Sequence, residues 1–240
     1  MDLILAAAHH LADARRSHKR GDRIPEPYRP RDIATALEIQ SRVTELLHEA
    51  VGGWKASAPT ADKIMMAPIY SHDLRRGERC PIVPLDGMAA IEPEIAFVLS
   101  RDLAPGAGDD EIVAAIGETR LVLELIGSRY EHPDEVTFPE KLADCLNNQA
   151  LLIGPPVTSG MGEWMSGFPI TIPGVCEVAG KHPDGHPLVA LKWLAGKVPL
   201  HARQIVTTGS FAGVIKVPLN QELCVTFGDA GQIAVTFYQG

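Results

Sequence analysis

Cysteine is scarce and scattered in this chain. Cys80, Cys145, Cys176 and Cys224 form no Cys-x-x-Cys pair, which argues against a zinc ribbon or a disulfide framework; reduced thiols in a cytoplasmic protein are the expectation. Positive charge is also short. Lys and Arg number 22 against 30 Asp and Glu, a formal net charge of -8, and a nucleic-acid surface needs the opposite balance. The one basic cluster, Arg15-Arg16 to Lys19-Arg20, reads as the solvated end of a helix. No apolar stretch is long enough to cross a bilayer. Asp2 stands before a short apolar run that ends at His9-His10, which is not the pattern of a secretory signal. The histidines lack metal-ligand spacing such as His-Glu-x-x-His, and there is no internal repeat or low-complexity segment.

What is present is a chain of 240 residues, 45% hydrophobic and 22% charged, enough to bury a full core. One domain over 1–240 is expected, with a helical part at 1–52 and a β-rich body at 80–240. Ile4, Ala7, Ala8 and Leu11 recur at helical spacing. After a proline-rich connector, Asp32 can cap a second helix whose stripe is Ile33, Leu37, Val43, Leu46 and Leu47, ended by Gly52-Gly53. From residue 80 short apolar runs alternate with Gly and Pro. Ile91 to Leu99, Leu121 to Ile126, Ala150 to Ile153, Ile170 to Ile172, Ile205 to Thr208, Glu222 to Phe227 and Gln232 to Tyr238 read as strands. Helices beginning at Asp109 and spanning about Pro187 to Gly196 interrupt them. Helices lead and strands follow without strict alternation, so the expected class is α+β with mixed sheets.

Three glutamates stand where carboxylates are costly. On a strand, Glu92, Glu94, Ala96 and Val98 share one face and Ile91, Ile95, Phe97 and Leu99 the other. Two carboxylates about 7 Å apart along the chain would raise each other's pKa unless a cation joins them. Glu124 repeats the anomaly inside Leu121-Val122-Leu123-Glu124-Leu125-Ile126, and an unpaired buried carboxylate costs several kcal/mol. The three together suit one divalent cation, and all-oxygen ligation favours Mg²⁺ or Mn²⁺ over zinc. The same patterns also fit a solvent-facing strand edge, or a glutamate paired with an arginine.

Several segments carry a resemblance. Asp32 to Gln40, Gly53-Trp54-Lys55, Glu92-Pro93-Glu94-Ile95-Ala96-Phe97-Val98-Leu99, Leu123 to Ile126 with Ser128-Arg129-Tyr130, Gly185 to Leu188 with Trp193-Leu194-Ala195, and Thr207-Thr208-Gly209-Ser210 occur in the order seen in one family. The chain resembles the 2-keto-4-pentenoate hydratase and 4-oxalocrotonate decarboxylase group of the fumarylacetoacetate hydrolase superfamily. That resemblance implies Glu92, Glu94 and Glu124 as metal ligands. It makes Lys55 a substrate-site cation or proton-transfer group, and Thr208 and Ser210 donors to a substrate carboxylate. It implies a small 2-oxo acid substrate, a homo-oligomer, and a hydratase forming a 4-hydroxy-2-oxo acid from a 2-hydroxy-2,4-dienoate. A decarboxylase, or a binder without turnover, are the alternatives. Arg129 is expected in a salt bridge and His186 at the cap of the helix beginning near Pro187. The chain departs from the family where Pro68-Ile69-Tyr70-Ser71 and Ala143-Asp144-Cys145-Leu146-Asn147 replace segments that hold an acid and a serine there.

Overall fold

Two aspartates start the two leading helices. Asp2 accepts from the backbone N–H groups of Ile4 and Leu5 at the head of α1 (Leu3–Ser17), and Asp32 accepts from Thr35 at the head of α2 (Ile33–Leu47). Each helix ends on a histidine in the left-handed conformation, His18 and His48. Ala7, Ala8, Leu11 and Ala12 of α1 meet Ala36, Ile39 and Val43 of α2 in one buried cluster. The small alanines let the two helices approach closely. A computed structural model describes residues 2–61, 63–157 and 162–240, without the side chains of Glu163 and Trp164.

The remaining elements are β1 (Val51–Ser57), β2 (Met65–Tyr70), β3 (Leu74–Arg75), β4 (Arg79–Ile82), β5 (Ala89–Leu99), α3 (Asp109–Ala115), β6 (Ile116–Ile126), α4 (Phe138–Ala143), β7 (Asn148–Pro156), β8 (Gly167–Ile172), β9 (Cys176–Lys181), α5 (Pro187–Ala195), β10 (Ile205–Ser210), β11 (Ile215–Val217), β12 (Glu222–Phe227) and β13 (Gln232–Gln239). The larger sheet runs β2-β1-β10-β5-β6-β7-β3 with β11 also on β5; the smaller runs β4-β13-β12-β8-β9. Most pairs are antiparallel, and β1–β10, β3–β7 and β4–β13 are parallel. The fold is therefore α+β with mixed sheets and an N-terminal helical region, as the periodicity predicts.

The boundary between the two parts falls earlier than expected. The β-rich body begins at Val51, and four strands start before residue 80. Gly52-Gly53 does not end α2; both glycines lie inside β1. A Cβ on Gly53 would stand 2.4 Å from the Ile205 carbonyl oxygen of β10, so glycine here admits close strand pairing.

The two faces of the large sheet have different partners. Ile91, Ile95, Phe97, Leu121, Leu123, Leu125 and Val206 join Val225, Phe227, Val235 and Phe237 of the smaller sheet in the main core. The other face curls inward until β2 meets β7, and Ile69, Ala96, Val122, Leu151 and Ile205 fill the hollow. One end of this hollow is polar.

Candidate metal centre

Cross-strand register brings the polar end together. Side chains at directly paired positions share a face. Lys55 of β1 pairs with Thr207 of β10, Thr207 with Ala96 of β5, and Glu92 of β5 with Glu124 of β6. Alternation then puts Glu94 on the same face as Ala96 and Glu92. Each of Glu92, Glu94 and Glu124 offers a carboxylate oxygen lying within 4.8 Å of the other two. Glu124 is fully buried, Glu94 nearly so, and Glu92 lies at the rim.

Each buried carboxylate is held through one of its oxygens. The Lys55 Nζ donates to Glu124 Oε1 at 2.6 Å, and the Asn148 Nδ2 donates to the same oxygen at 2.9 Å. Glu124 Oε2 is buried with no hydrogen-bond partner among the described residues. Thr207 Oγ1 donates to Glu94 Oε2, and the Gly209 backbone N–H donates to it at 2.8 Å. These hydrogen bonds hold the Glu124 and Glu94 carboxylates in place beside each other.

Charge here is out of balance. Three carboxylates face the single ammonium of Lys55. Burial, with Glu124 adding to it and Lys55 opposing it, pushes Glu92 up to about 7. Burial, together with Glu124 and Glu92, pushes Glu94 up to about 8 despite Lys55 and the Thr207 hydroxyl. Burial alone would lower the Lys55 ammonium, but Glu124, Glu92 and Glu94 more than offset this and hold its pKa above the ordinary value. A buried, all-oxygen, net-negative cluster with an orphaned oxygen fits a hard divalent cation.

The other residues singled out in the sequence fall in different places. Lys55 lies in β1. The Thr208 hydroxyl donates to the Ile95 carbonyl at 2.8 Å, and the Ser210 hydroxyl donates to the Gly213 carbonyl at 3.0 Å. Both are thus engaged with backbone; the hydroxyl of this segment directed at a glutamate is that of Thr207. Arg129 pairs with Asp144, Nε to Oδ1 at 2.5 Å, and also donates to the carbonyl of Asn148. His186 caps α5, its Nδ1 accepting from the Leu188 N–H.

Thr207, Asn148 and the Gly209 N–H were not foreseen from sequence. Asn148 follows a turn in which Cys145, Leu146 and Asn147 take φ of 52°, 53° and 61°. Left-handed backbone at a non-glycine residue costs of order 1 kcal/mol. The turn aims the Leu146 carbonyl at the Lys55 Nζ, 3.3 Å away, and places Asn148 beside Glu124. This is one of the two segments where the sequence departs from the family pattern, and it is built into the site.

No protein-family model matches the chain. Among solved structures, 4-oxalocrotonate decarboxylase from Pseudomonas putida G7, complexed with magnesium and adipate, superposes with a TM-score of 0.80. It is 19% identical, over 98% of this chain and 97% of that one. The same enzyme complexed with calcium and acetate gives 0.78 over the same shares. 2-Hydroxyhepta-2,4-diene-1,7-dioate isomerase from Mycobacterium marinum gives 0.58 at 12% identity, over 79% of this chain and 75% of that one. The chain has the fold of these proteins, and the likeness to 4-oxalocrotonate decarboxylase extends over nearly the whole of both chains.

Proposed function

We propose that this chain is a divalent-metal-dependent lyase acting on small unsaturated 2-oxo acids, with Glu92, Glu94 and Glu124 as the metal ligands. The observation that carries the reading is the convergence of three carboxylates, two of them buried, together with a buried Glu124 Oε2 that has no hydrogen-bond partner among the described residues. A divalent ion held there supplies Lewis acidity to the keto oxygen of a chelated 2-oxo acid. Mg²⁺ is the first candidate and Mn²⁺ the second; the decarboxylase of similar fold is complexed with magnesium in one structure and with calcium in another.

The side chains divide the work. Thr207 and the Gly209 N–H fix Glu94, while Lys55 and Asn148 fix Glu124, so the ligand set is oriented before the ion arrives. Lys55 is a buried point charge beside that set. It can hold a substrate oxygen that gains negative charge, and can return a proton as the enolate becomes a ketone. Ala96 and Val122 are buried apolar neighbours of the carboxylates, and such low-dielectric surroundings strengthen electrostatic contacts.

Two reactions suit this arrangement. In hydration, a 2-hydroxy-2,4-dienoate ketonises, water adds its oxygen to the far alkene carbon, and a 4-hydroxy-2-oxo acid results; the sequence motifs support this. In decarboxylation, a 4-oxalocrotonate-type acid loses carbon dioxide and the electron pair passes into the conjugated 2-oxo acid. The likeness to 4-oxalocrotonate decarboxylase over nearly the whole chain supports that second reading. The test is turnover of a panel of dienoates and 2-oxo-enedioates with Mg²⁺ or Mn²⁺. Water addition selects the first and carbon dioxide release the second. Calorimetric binding without turnover leaves a 2-oxo acid binder, and no Mg²⁺-dependent binding or turnover sinks the proposal.

A further inference from the structure

The short basic cluster at the end of α1 is not merely solvated. It forms one wall of a cavity of about 380 Å³ that holds none of the three glutamates. Arg15, Arg16, Lys19 and Arg20 come from α1 and the turn after it, Arg75 from β3, and Arg129 from the segment after β6. The side-chain carboxylates in the lining are Glu49 and Asp73. Both are engaged: Glu49 by His72, and Asp73 by His72 at 3.2 Å and Arg75 at 3.7 Å. In a chain of net charge -8, this is a local reversal of sign.

The guanidinium groups are under-used. Arg15 gives one Nη to the Asn148 carbonyl at 3.3 Å, Arg20 gives one to the Pro84 carbonyl at 2.6 Å, and the Nη2 of Arg75 reaches Asp73. The Nε of each is buried with no hydrogen-bond partner among the described residues. A guanidinium presents five donors in a planar fork, and a buried donor left unmade is costly. Three such forks around one cavity are the donor set that oxyanions take bidentately. Tyr70 and Ile82 add apolar surface to the lining, and a volume of about 380 Å³ suits a small molecule.

We infer that this cavity is a second binding site, separate from the glutamates, for small oxyanions carrying two or more negative charges. Polycarboxylates and phosphates share that chemistry. It is tested by calorimetric titration of the full chain, at fixed free Mg²⁺, with tricarballylate and with inorganic phosphate. Saturable binding that weakens with added KCl is expected, and the tighter of the two probes identifies the source. Arg15→Gln and Arg75→Gln should each weaken it roughly tenfold, while Glu124→Gln leaves it unchanged. Loss in Glu124→Gln would place the anion at the metal centre and overturn the inference, as would unchanged binding in both arginine variants or no binding of either probe. Phenylglyoxal modification of the unaltered chain gives a check that does not depend on the variants folding. The bound anion should slow modification of Arg15 and Arg75 relative to the exposed Arg101, mapped by peptide mass; equal rates with and without anion would also overturn it.

Discussion

Two buried carboxylates, Glu94 and Glu140, show why one site is open to a ligand and the other is closed. Both are almost wholly removed from solvent. Glu140, in α4, receives the Arg23 Nε at 2.7 Å and Nη2 at 2.6 Å, the Thr137 N–H at 3.0 Å and the Thr137 hydroxyl at 2.8 Å. Burial would raise its pKa, but these donors more than offset it and hold the carboxyl below its usual range. Glu94 receives two neutral donors and faces two further carboxylates, and burial and those neighbours raise it. A buried acid alone is therefore no sign of function here. The sign is an imbalance of charge that the chain does not itself correct.

The largest effect expected from this difference is on turnover. Among the described residues Lys55 is the one cation hydrogen-bonded to the glutamate cluster, yet as an ammonium it is no metal ligand. Lys55→Ala should lower turnover of the true substrate by roughly 10²–10⁴-fold while Mg²⁺ binding, measured by calorimetry, persists. A variant that binds no Mg²⁺, or that turns over normally, would break the assignment of roles. Glu124→Gln is the complement: Mg²⁺ affinity should fall by roughly a hundredfold.

Stability should separate the two carboxylates next. Glu140→Gln leaves Arg23 facing a neutral amide at a filled site and should cost about 3 kcal/mol. Glu94→Gln replaces an acid whose charged form the metal-free cluster disfavours, and the metal-free chain should be as stable as before or more so. Denaturant unfolding of both variants in EDTA checks this, and equal losses would erase the distinction.

The pH dependence sharpens it further. Glu92 and Glu94 titrate near 7 and 8 in the folded, metal-free chain and near 4.5 when free. Their raised values favour the folded state fully below about pH 4.5, and that contribution is lost as pH rises through 7 to 8. The thermal midpoint in EDTA should fall across that interval. A metal needs the ionised form, so the rise in midpoint on adding Mg²⁺ should grow from pH 5.5 to 8.5. A midpoint in EDTA that climbs over this range would contradict the charge imbalance.

The parts of this architecture that sequence disclosed are those with local signals. The cap at Asp32, the helical stripes, and the runs at Ile91 to Leu99 and Leu121 to Ile126 all lie on the expected elements. β1 and β2 escaped because Gly52, Gly53 and Pro68 interrupt them, which weakens any period-two pattern, and β3 and β4 because they are short. The same limit governs the site. Glu92, Glu94 and Glu124 stand out because each is a charge in an apolar run. Thr207 lies within Thr207-Thr208-Gly209-Ser210, where nothing local says which hydroxyl faces the glutamates. That choice is made by the pairing of Thr207 with both Lys55 and Ala96, a tertiary fact. Asn148 depends likewise on a left-handed turn at three non-glycine residues, which no residue type there announces.

The smallest predicted effect tests that choice between adjacent hydroxyls. Thr207 and Thr208 are both fully buried, and replacing either by valine keeps the branched shape while removing one donor. Thr207→Val takes a hydrogen bond from Glu94 Oε2 and leaves only the Gly209 N–H to orient it. Mg²⁺ affinity should fall roughly tenfold, as for other partners that orient a ligand. Thr208→Val instead leaves the Ile95 carbonyl without the hydroxyl's bond. It should cost about 1 kcal/mol of stability, a shift of roughly 2–4 °C for a chain of this size, with Mg²⁺ affinity unchanged. Calorimetry and thermal unfolding on the two variants read these outcomes independently. If Thr208→Val weakens the metal and Thr207→Val does not, the face of β10 that serves the glutamates has been assigned the wrong way round.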